Sequence, residues 1–412
     1  CNVLDDPHRT DWSWCMNRLH LILGFKTTMA DVPHGLWFGY YLRLGYNMTQ
    51  AWFKAADKLQ PQGKIARVLA EEYSHFFDKV GNHIGGDVAP NSTYWYWDHR
   101  VGSEHARPVD LSPLQDTMPV FQTPPLSLAD AEGNWQNLGS AFGVETSNPL
   151  VVSALTGLAN ATQGEEIWVS QDGQLEMDPS SGLYSYTNAQ TLWADEGQAL
   201  TEPGAVRAIT QDEARQIADQ FLQQNGLMPG DAQFYEVTAD TLSSAVTEQL
   251  GNGLLSEQTV SQENTAWQVI YSRIISYTVP ANTPNSPAET MEFSVVGPGA
   301  KLKVYVDTEV PAGLTAPAQN AVIGGVGGWR SVESNNTLLT PVANLPVLSY
   351  DQILALFNEL EPTVALGYVP LLFDDREVIS NTVAYYELPL GTGQDQLIPV
   401  YELTVRYNVT NG

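Results

Sequence analysis

An α/β N-terminal part followed by α+β antiparallel-sheet modules is the fold class that the sequence predicts, and three observations lead to it. The first is the run Leu19-His20-Leu21-Ile22-Leu23-Gly24-Phe25, bounded by Arg18 and Lys26 and apolar apart from His20 and Gly24. Such a run reads as a strand buried on both faces, and it is followed by segments of helical spacing. The second is charge: residues 1–107 hold 11 Lys+Arg against 11 Asp+Glu, whereas residues 108–412 hold 8 against 36 and carry all of the net −28. The third is a pair of capping boxes, each followed by alternating strands.

Taken in order, Asp31-Val32-Pro33 breaks the chain after the first strand, and His34 to Leu44 reads as an aromatic-rich helix that Gly45 stops. Thr49 is expected to cap a helix from Gln50 to Leu59, with Trp52, Ala55, Ala56 and Leu59 on one face. Lys64 to Val80 is expected to be a third helix, since Ile65, Val68, Leu69, Tyr73, Phe76, Phe77 and Val80 form a stripe. Thr93 to His99 reads as a strand with aromatics on both faces. Residues 1–107 therefore make one α/β domain.

Residues 108–147 are expected to be a linker crossing a surface, rich in proline yet carrying Phe121, Trp135 and Phe142. From 148 to 345 an α+β module is expected, opening with a helix-like run from Leu150 to Leu158. Strands follow at Glu166–Val169, Gln174–Met177 and Leu183–Thr187, separated by Gly-containing turns. The capping box Thr210-x-x-Glu213 opens a helix with Ala214, Ile217, Ala218, Phe221 and Leu222 on one stripe. Its sheet is supplied by Phe234–Val237, Trp267–Tyr277, Glu292–Val296 and Leu302–Val306, with Val322–Gly324 and Trp329-Arg330 as a final hairpin. Residues 346–412 restart the order: Ser349-x-x-Gln352 caps a helix, and strands follow at Val383–Glu387 and Leu397–Val409.

Composition narrows the function. The acidic part should repel nucleic acid and anionic lipid, and no run of 18 apolar residues exists to span a membrane. No D-x-[DN]-x-[DN]-G calcium loop occurs; Asp374-Asp375 and Asp130 to Asn134 read as solvated turns. Gly324 to Gly328 lacks the Lys-Ser/Thr of a phosphate loop and reads as a tight hairpin. The ordinary meaning of the acidity is solubility outside a cell. Five N-x-[ST] sequons (Asn47, Asn91, Asn160, Asn335, Asn408) matter only in a eukaryotic secretory protein. No cofactor motif is present.

All seven histidines precede residue 106. His20 reads as a satisfied core histidine, and His34, after a proline at a helix start, as exposed. His99 and His105 lack the second close pair that a zinc site needs. His75 and His83 fit no pattern. Cys15 can pair only with Cys1, and the thirteen residues between them leave that pairing open. Cys1 is the candidate nucleophile, because a cysteine at the C-terminal edge of an α/β strand faces the open crevice; its bland alternative is a small buried apolar residue.

Cys1-Asn2-Val3-Leu4, the stretch Leu19 to Thr28, Gln50-Ala51-Trp52-Phe53 with Ala55, and Tyr96-Trp97-Asp98-His99 together resemble the C-terminal half of a caspase-like domain of secreted bacterial proteins. The resemblance implies that Cys1 is the nucleophile of a Cys/His dyad whose histidine lies on an upstream half, matched by none of the seven histidines here. It also implies peptide or protein partners, and an upstream half-domain or second chain completing the N-terminal sheet. Ala214 to Leu222 and Gly297 to Val304 are similar, more loosely, to PepSY-like modules, which are linked to peptidases as inhibitory or regulatory parts. The expectation is thus a secreted cysteine-peptidase homologue, extracellular or at the cell surface. The competing expectation is a non-catalytic extracellular structural or assembly protein, possible as a homo-oligomer or filament.

Overall fold

The computed structural model describes residues 4–5, 12, 19–27, 29–30, 32–80, 93–102, 116–153, 166–192, 206–249, 255–279, 288–311, 321–332, 334–335, 338–359 and 373–409. The fold is mixed α/β, with five helices of two or more turns and one large, mostly antiparallel sheet among the described residues. Among the described residues no helix is long and apolar enough to cross a membrane.

The N-terminal strands β1 (Leu21–Phe25), β2 (Ile65–Ala70) and β3 (Thr93–Arg100) pair antiparallel, β2 in the middle. Between β1 and β2 come the predicted helices α1 (His34–Arg43) and α2 (Met48–Leu59). The cap of α2 is Asn47 rather than Thr49: Asn47 Oδ1 accepts from Gln50 N at 2.8 Å and Gln50 Oε1 accepts from Asn47 N at 3.2 Å. Asn47 is buried in this role, which closes its sequon to a glycan in the folded chain.

The expected third helix, Lys64 to Val80, is instead β2 followed by a short 3₁₀ helix, Tyr73–Phe77. Ala66, Arg67, Val68, Leu69 and Ala70 are all buried, so the segment has no polar face to show its period. A strand sandwiched between neighbours and a buried helix then look alike in sequence, and ladder pairing with β1 and β3 decides the outcome.

The expected linker also differs. Its residues 108–115 lie outside the described residues, and the remainder contains β4 (Thr117–Gln122) and α3 (Leu128–Phe142). Ser127 Oγ accepts from Asp130 N, Gly143 closes the helix at φ 68°, and Ala131, Trp135 and Leu138 are its buried face. Asp130 to Asn134 is therefore helical, not a turn. The helix-like run at Leu150 is the strand β5 (Leu150–Ser153), with residues 154–158 outside the description. It leads an antiparallel meander with β6 (Glu166–Val169), β7 (Leu175–Met177) and β8 (Tyr184–Thr187).

The capping box at Thr210 and Glu213 opens α4 (Gln211–Gln224) as predicted. Its apolar face, Ala214, Ile217, Ala218, Phe221 and Leu222, packs on the following strands. These are β9 (Ala232–Gln249), β10 (Leu255–Val279), β12 (Leu302–Asp307) and β13 (Val322–Gly327), while β11 (Glu289–Val296) pairs with β10 and packs in a separate cluster. The chain ends with β14 (Pro341–Pro346), α5 (Tyr350–Glu359), β15 (Phe373–Tyr386) and β16 (Gln396–Val409). Asp374-Asp375 falls inside β15 rather than in a turn. The sheet runs β14-β4-β16-β15-β11-β10-β12-β13-β8-β7-β6-β5, and β9 branches from β10 to carry β3, β2 and β1. Its single described parallel pairing is Val295 and Val296 against Tyr385 and Tyr386.

The glycine run is packing rather than a hairpin or a phosphate loop. Gly324 and Gly327 sit in β13, where a Cβ would press on the Tyr305 and Leu302 side chains. Gly328, at φ +74°, lies against the Gly182 carbonyl with no room for a side chain. Trp329 and Arg330 leave the sheet instead of forming its last hairpin.

Strand β3 joins the N-terminal strands to the rest through β9, in register from Asp98 opposite Thr241 to Thr93 opposite Val246. A buried ionic network crosses the same junction. His99 contacts Asp57 through Nε2 at 3.1 Å and Asp240 through Nδ1 at 2.6 Å, and Gln268 Nε2 donates to Asp240. Asp57 also accepts from Lys303 Nζ and Tyr305 OH, each at 2.5 Å. Burial alone pulls the His99 imidazole down, but Asp240 and Asp57 outweigh it and hold His99 above its ordinary value. Two acids and two cations thus neutralise one another out of water.

Candidate functional site

Strand β1 has one partner among the described residues. Lys26 N donates to Ile65 O at 3.0 Å and Glu71 N donates to His20 O at 3.3 Å, so the even-numbered backbone groups face β2. In an antiparallel ladder the odd-numbered groups then point away. Phe25 O does so, accepting from Leu4 N at 3.2 Å. Leu21 and Leu23 have no strand on that side among the described residues. The run read as a strand buried on both faces is therefore the last strand of this order among the described residues, although Leu21, Leu23 and Phe25 all pack into the core.

Leu4 is an anchor at the Phe25 end of the strand. It is fully buried against Leu69, Tyr94, Tyr96 and Ala245, and its carbonyl accepts from Arg67 Nη1 at 2.8 Å. Arg67 is itself buried and held bidentately by Asp98, at 2.5 and 2.7 Å. Cys1, the predicted nucleophile, lies outside the described residues, as does Cys15. Cys1 is three positions before Leu4 in sequence, a chain reach of about 10 Å.

His34 stands at this same end of β1. It opens α1 after Pro33, and its ring meets Phe25 edge-on at 5.5 Å and Trp52 at 4.2 Å. Trp52 Nε1 donates to Gly24 O at 3.1 Å, which fixes the indole against the strand. The sequence reading placed His34 on the surface, whereas it is only 4% exposed, because Phe25, Phe38 and Trp52 close around the helix start. Among the described residues neither ring nitrogen of His34 has a hydrogen-bond partner. Burial lowers its pKa to about 4, so the imidazole is neutral at physiological pH. The positive end of α1 acts in the same direction. An unpartnered imidazole in an apolar wall is a costly group to keep for packing alone, and its lowered pKa makes it a weak base until an anion beside it, such as a thiolate, stabilises the imidazolium.

A second histidine cluster lies at the other end of β1, about 16 Å along the strand from Phe25. His20 Nδ1 contacts Asp78 Oδ2 at 2.7 Å, and the His75 ring stacks on His20 at 3.9 Å. His20 is thus a part-buried, carboxylate-paired residue rather than a core histidine. Glu71 beside them is raised by burial, and its carboxylate oxygens lack partners. Among the described residues no group of three or more His, Cys, Asp and Glu side chains could hold a metal ion.

The sequence reading missed both His34 and the His99 network. For His34 the only local signal is its aromatic company, Trp37 and Phe38 ahead and Trp52 a helix later. For His99 none exists, since Asp240 is 141 residues away.

Residues 1–99 match a domain of unknown function, DUF6345. The match spans Cys1, Leu4, β1, His34 and Trp52, and ends at His99. No curated protein and no solved structure matches the chain.

Proposed function

We propose that the Phe25 end of β1 is the nucleophile-and-base end of a caspase-like cysteine-peptidase centre. Cys1 is the nucleophile, His34 serves as the base in place of the upstream histidine that the resemblance implies, and the protein acts on peptides or proteins outside the cell or at its surface. Cys1 gives its proton to His34, and the sulfur adds to the scissile carbonyl carbon. The tetrahedral intermediate collapses to a thioester as His34 returns the proton to the leaving amine. Water, deprotonated by His34, then hydrolyses the thioester to a free acid and regenerates the thiol. The side of β1 that carries no strand among the described residues is where a further strand, from an upstream half-domain or a second chain, would pair and wall the site.

The observation that carries this reading is His34, buried and neutral with both ring nitrogens open, against the strand end where Leu4 is anchored. The test is labelling with an acyl-type thiol electrophile in a Cys15→Ser background. The expected result is labelling that disappears in Cys1→Ala and falls at least about tenfold in His34→Gln, while His20→Gln keeps it. Equal labelling of His34→Gln and its parent would sink the assignment.

A non-catalytic extracellular scaffold is the second reading. It is favoured by the welding of the N-terminal strands into the long sheet through β9 and the His99 network. Electron microscopy of the purified protein separates the two, since repeating fibres support the scaffold and discrete particles the enzyme.

A further inference from the structure

Far from β1, α3, the turn after α4, β10 and the segment following β13 enclose a cleft of about 610 Å³, within the range of small-ligand sites. We propose that this cleft binds a short, uncharged peptide with apolar side chains.

The floor of the cleft is rigid and electrically balanced. Arg273 donates from Nε to Asp231 at 2.9 Å, from Nη1 to Glu387 at 2.7 Å and from Nη2 to Arg330 O at 2.8 Å. Arg330 in turn donates its backbone N–H to Glu387 and its guanidinium to the Leu388 and Thr392 carbonyls. Two cations meet two anions, and each guanidinium is already held by several acceptors. An anionic ligand therefore finds no free counter-charge, and in a chain of net charge −28 it is also repelled at long range.

What the cleft offers instead is neutral. Asn134 on α3 and Ser276 on β10 are exposed on different walls, each able both to donate and to accept. Trp329 and Tyr184 also line it; both are more than nine-tenths buried, and Nε1 of one and the hydroxyl of the other lack any partner. Leu138, Met228, Ile275 and Leu339 supply the apolar surface. An extended peptide presents alternating N–H and C=O groups to the polar side chains and apolar side chains to the rest. A sugar of the same size would press hydroxyls against Leu138, Met228, Ile275 and Leu339, leaving them without partners.

Isothermal calorimetry of the full chain tests this with a panel of end-blocked Leu-, Val- and Ala-rich peptides and a neutral oligosaccharide. Asn134→Trp and Ser276→Trp fill the cleft from exposed positions on separate walls, and circular dichroism checks that each variant folds. At least one peptide is expected to bind saturably, with affinity falling at least about tenfold in both variants and unchanged in Glu263→Gln, an exposed position of β10 outside the cleft. Binding of the oligosaccharide alone, binding of no peptide, or equal peptide affinity in the folded variants would each overturn the proposal.

Discussion

Asp240→Asn is the sharpest probe of how the N-terminal strands are held to the rest. Asp240 is fully buried and accepts from His99 Nδ1 at 2.6 Å and from Gln268 Nε2. Asparagine keeps the size but offers one acceptor oxygen and one donor NH₂. In either orientation, one of the two existing donors then faces another donor. The substitution also leaves the His99 cation with Asp57 alone, a carboxylate already shared with Lys303 and Tyr305. Breaking a buried charge pair on one side costs about 3–5 kcal/mol. Leaving a buried donor unmatched costs about 1–3 kcal/mol, part of the same loss rather than an addition to it. Native-state hydrogen exchange reads this locally in β3 and β9, whose pairing the network supports, without requiring two-state unfolding of a large chain. Those amides are expected to lose about 3 kcal/mol or more of opening free energy. Glu263→Gln, on an exposed position of β10, should change it by less than about 0.5 kcal/mol. A change below about 1 kcal/mol in Asp240→Asn, with β3 and β9 still protected, would refute the view that the network couples the two parts.

Gly328→Ala places a Cβ on a residue at φ +74° and against the Gly182 carbonyl, so both the backbone and the contact are strained. A loss of about 2–4 kcal/mol is expected by urea unfolding, and one under about 0.5 kcal/mol would show that the two segments can separate freely. Lys301, buried and donating to the Asp57 and Gln60 carbonyls, is lowered by burial to about 7 from 10.5. Above pH 7 the folded chain has released this proton while the unfolded chain keeps it, so this group's contribution to stability rises with pH up to about 10.5. The slope is at most about 1.4 kcal/mol per pH unit. Comparing stability against pH in Lys301→Met and its parent isolates the effect, because the parent should gain on the variant between pH 7 and 10. A constant difference across that window would mean Lys301 stays charged when folded.

Much of the chain was legible where one face of an element is apolar and the other polar. The α4 helix shows this best: Thr210 and Glu213 cap it, and Ala214, Ile217, Ala218, Phe221 and Leu222 are its buried stripe in sequence and structure alike. Strands β6, β8 and β12 were found within one residue at each end because turn residues bracket them. The failures have two causes. In β2 both faces are buried, so Ile65 to Phe77 satisfied a helical stripe without being one. In α3 five prolines upstream suggested a linker, while the cap Ser127 and the stop Gly143 went unread.

The sequence by itself determined the local facts: capped helices, turn-bounded strands, and the division between a charge-balanced N-terminal part and a strongly acidic remainder. These follow from backbone propensity and side-chain periodicity, which act over a few residues. Tertiary structure alone decided the pairing of β3 with β9, the position of β1 at the end of its strand order and the burial of His34. It also decided the meeting of Asp57, His99 and Asp240. Such contacts depend on which strands come together across tens to hundreds of residues, and burial then sets the charge state of each group. His34 is the plainest case, since its neutrality comes from the desolvation imposed by Phe25 and Trp52 and not from any neighbour in sequence.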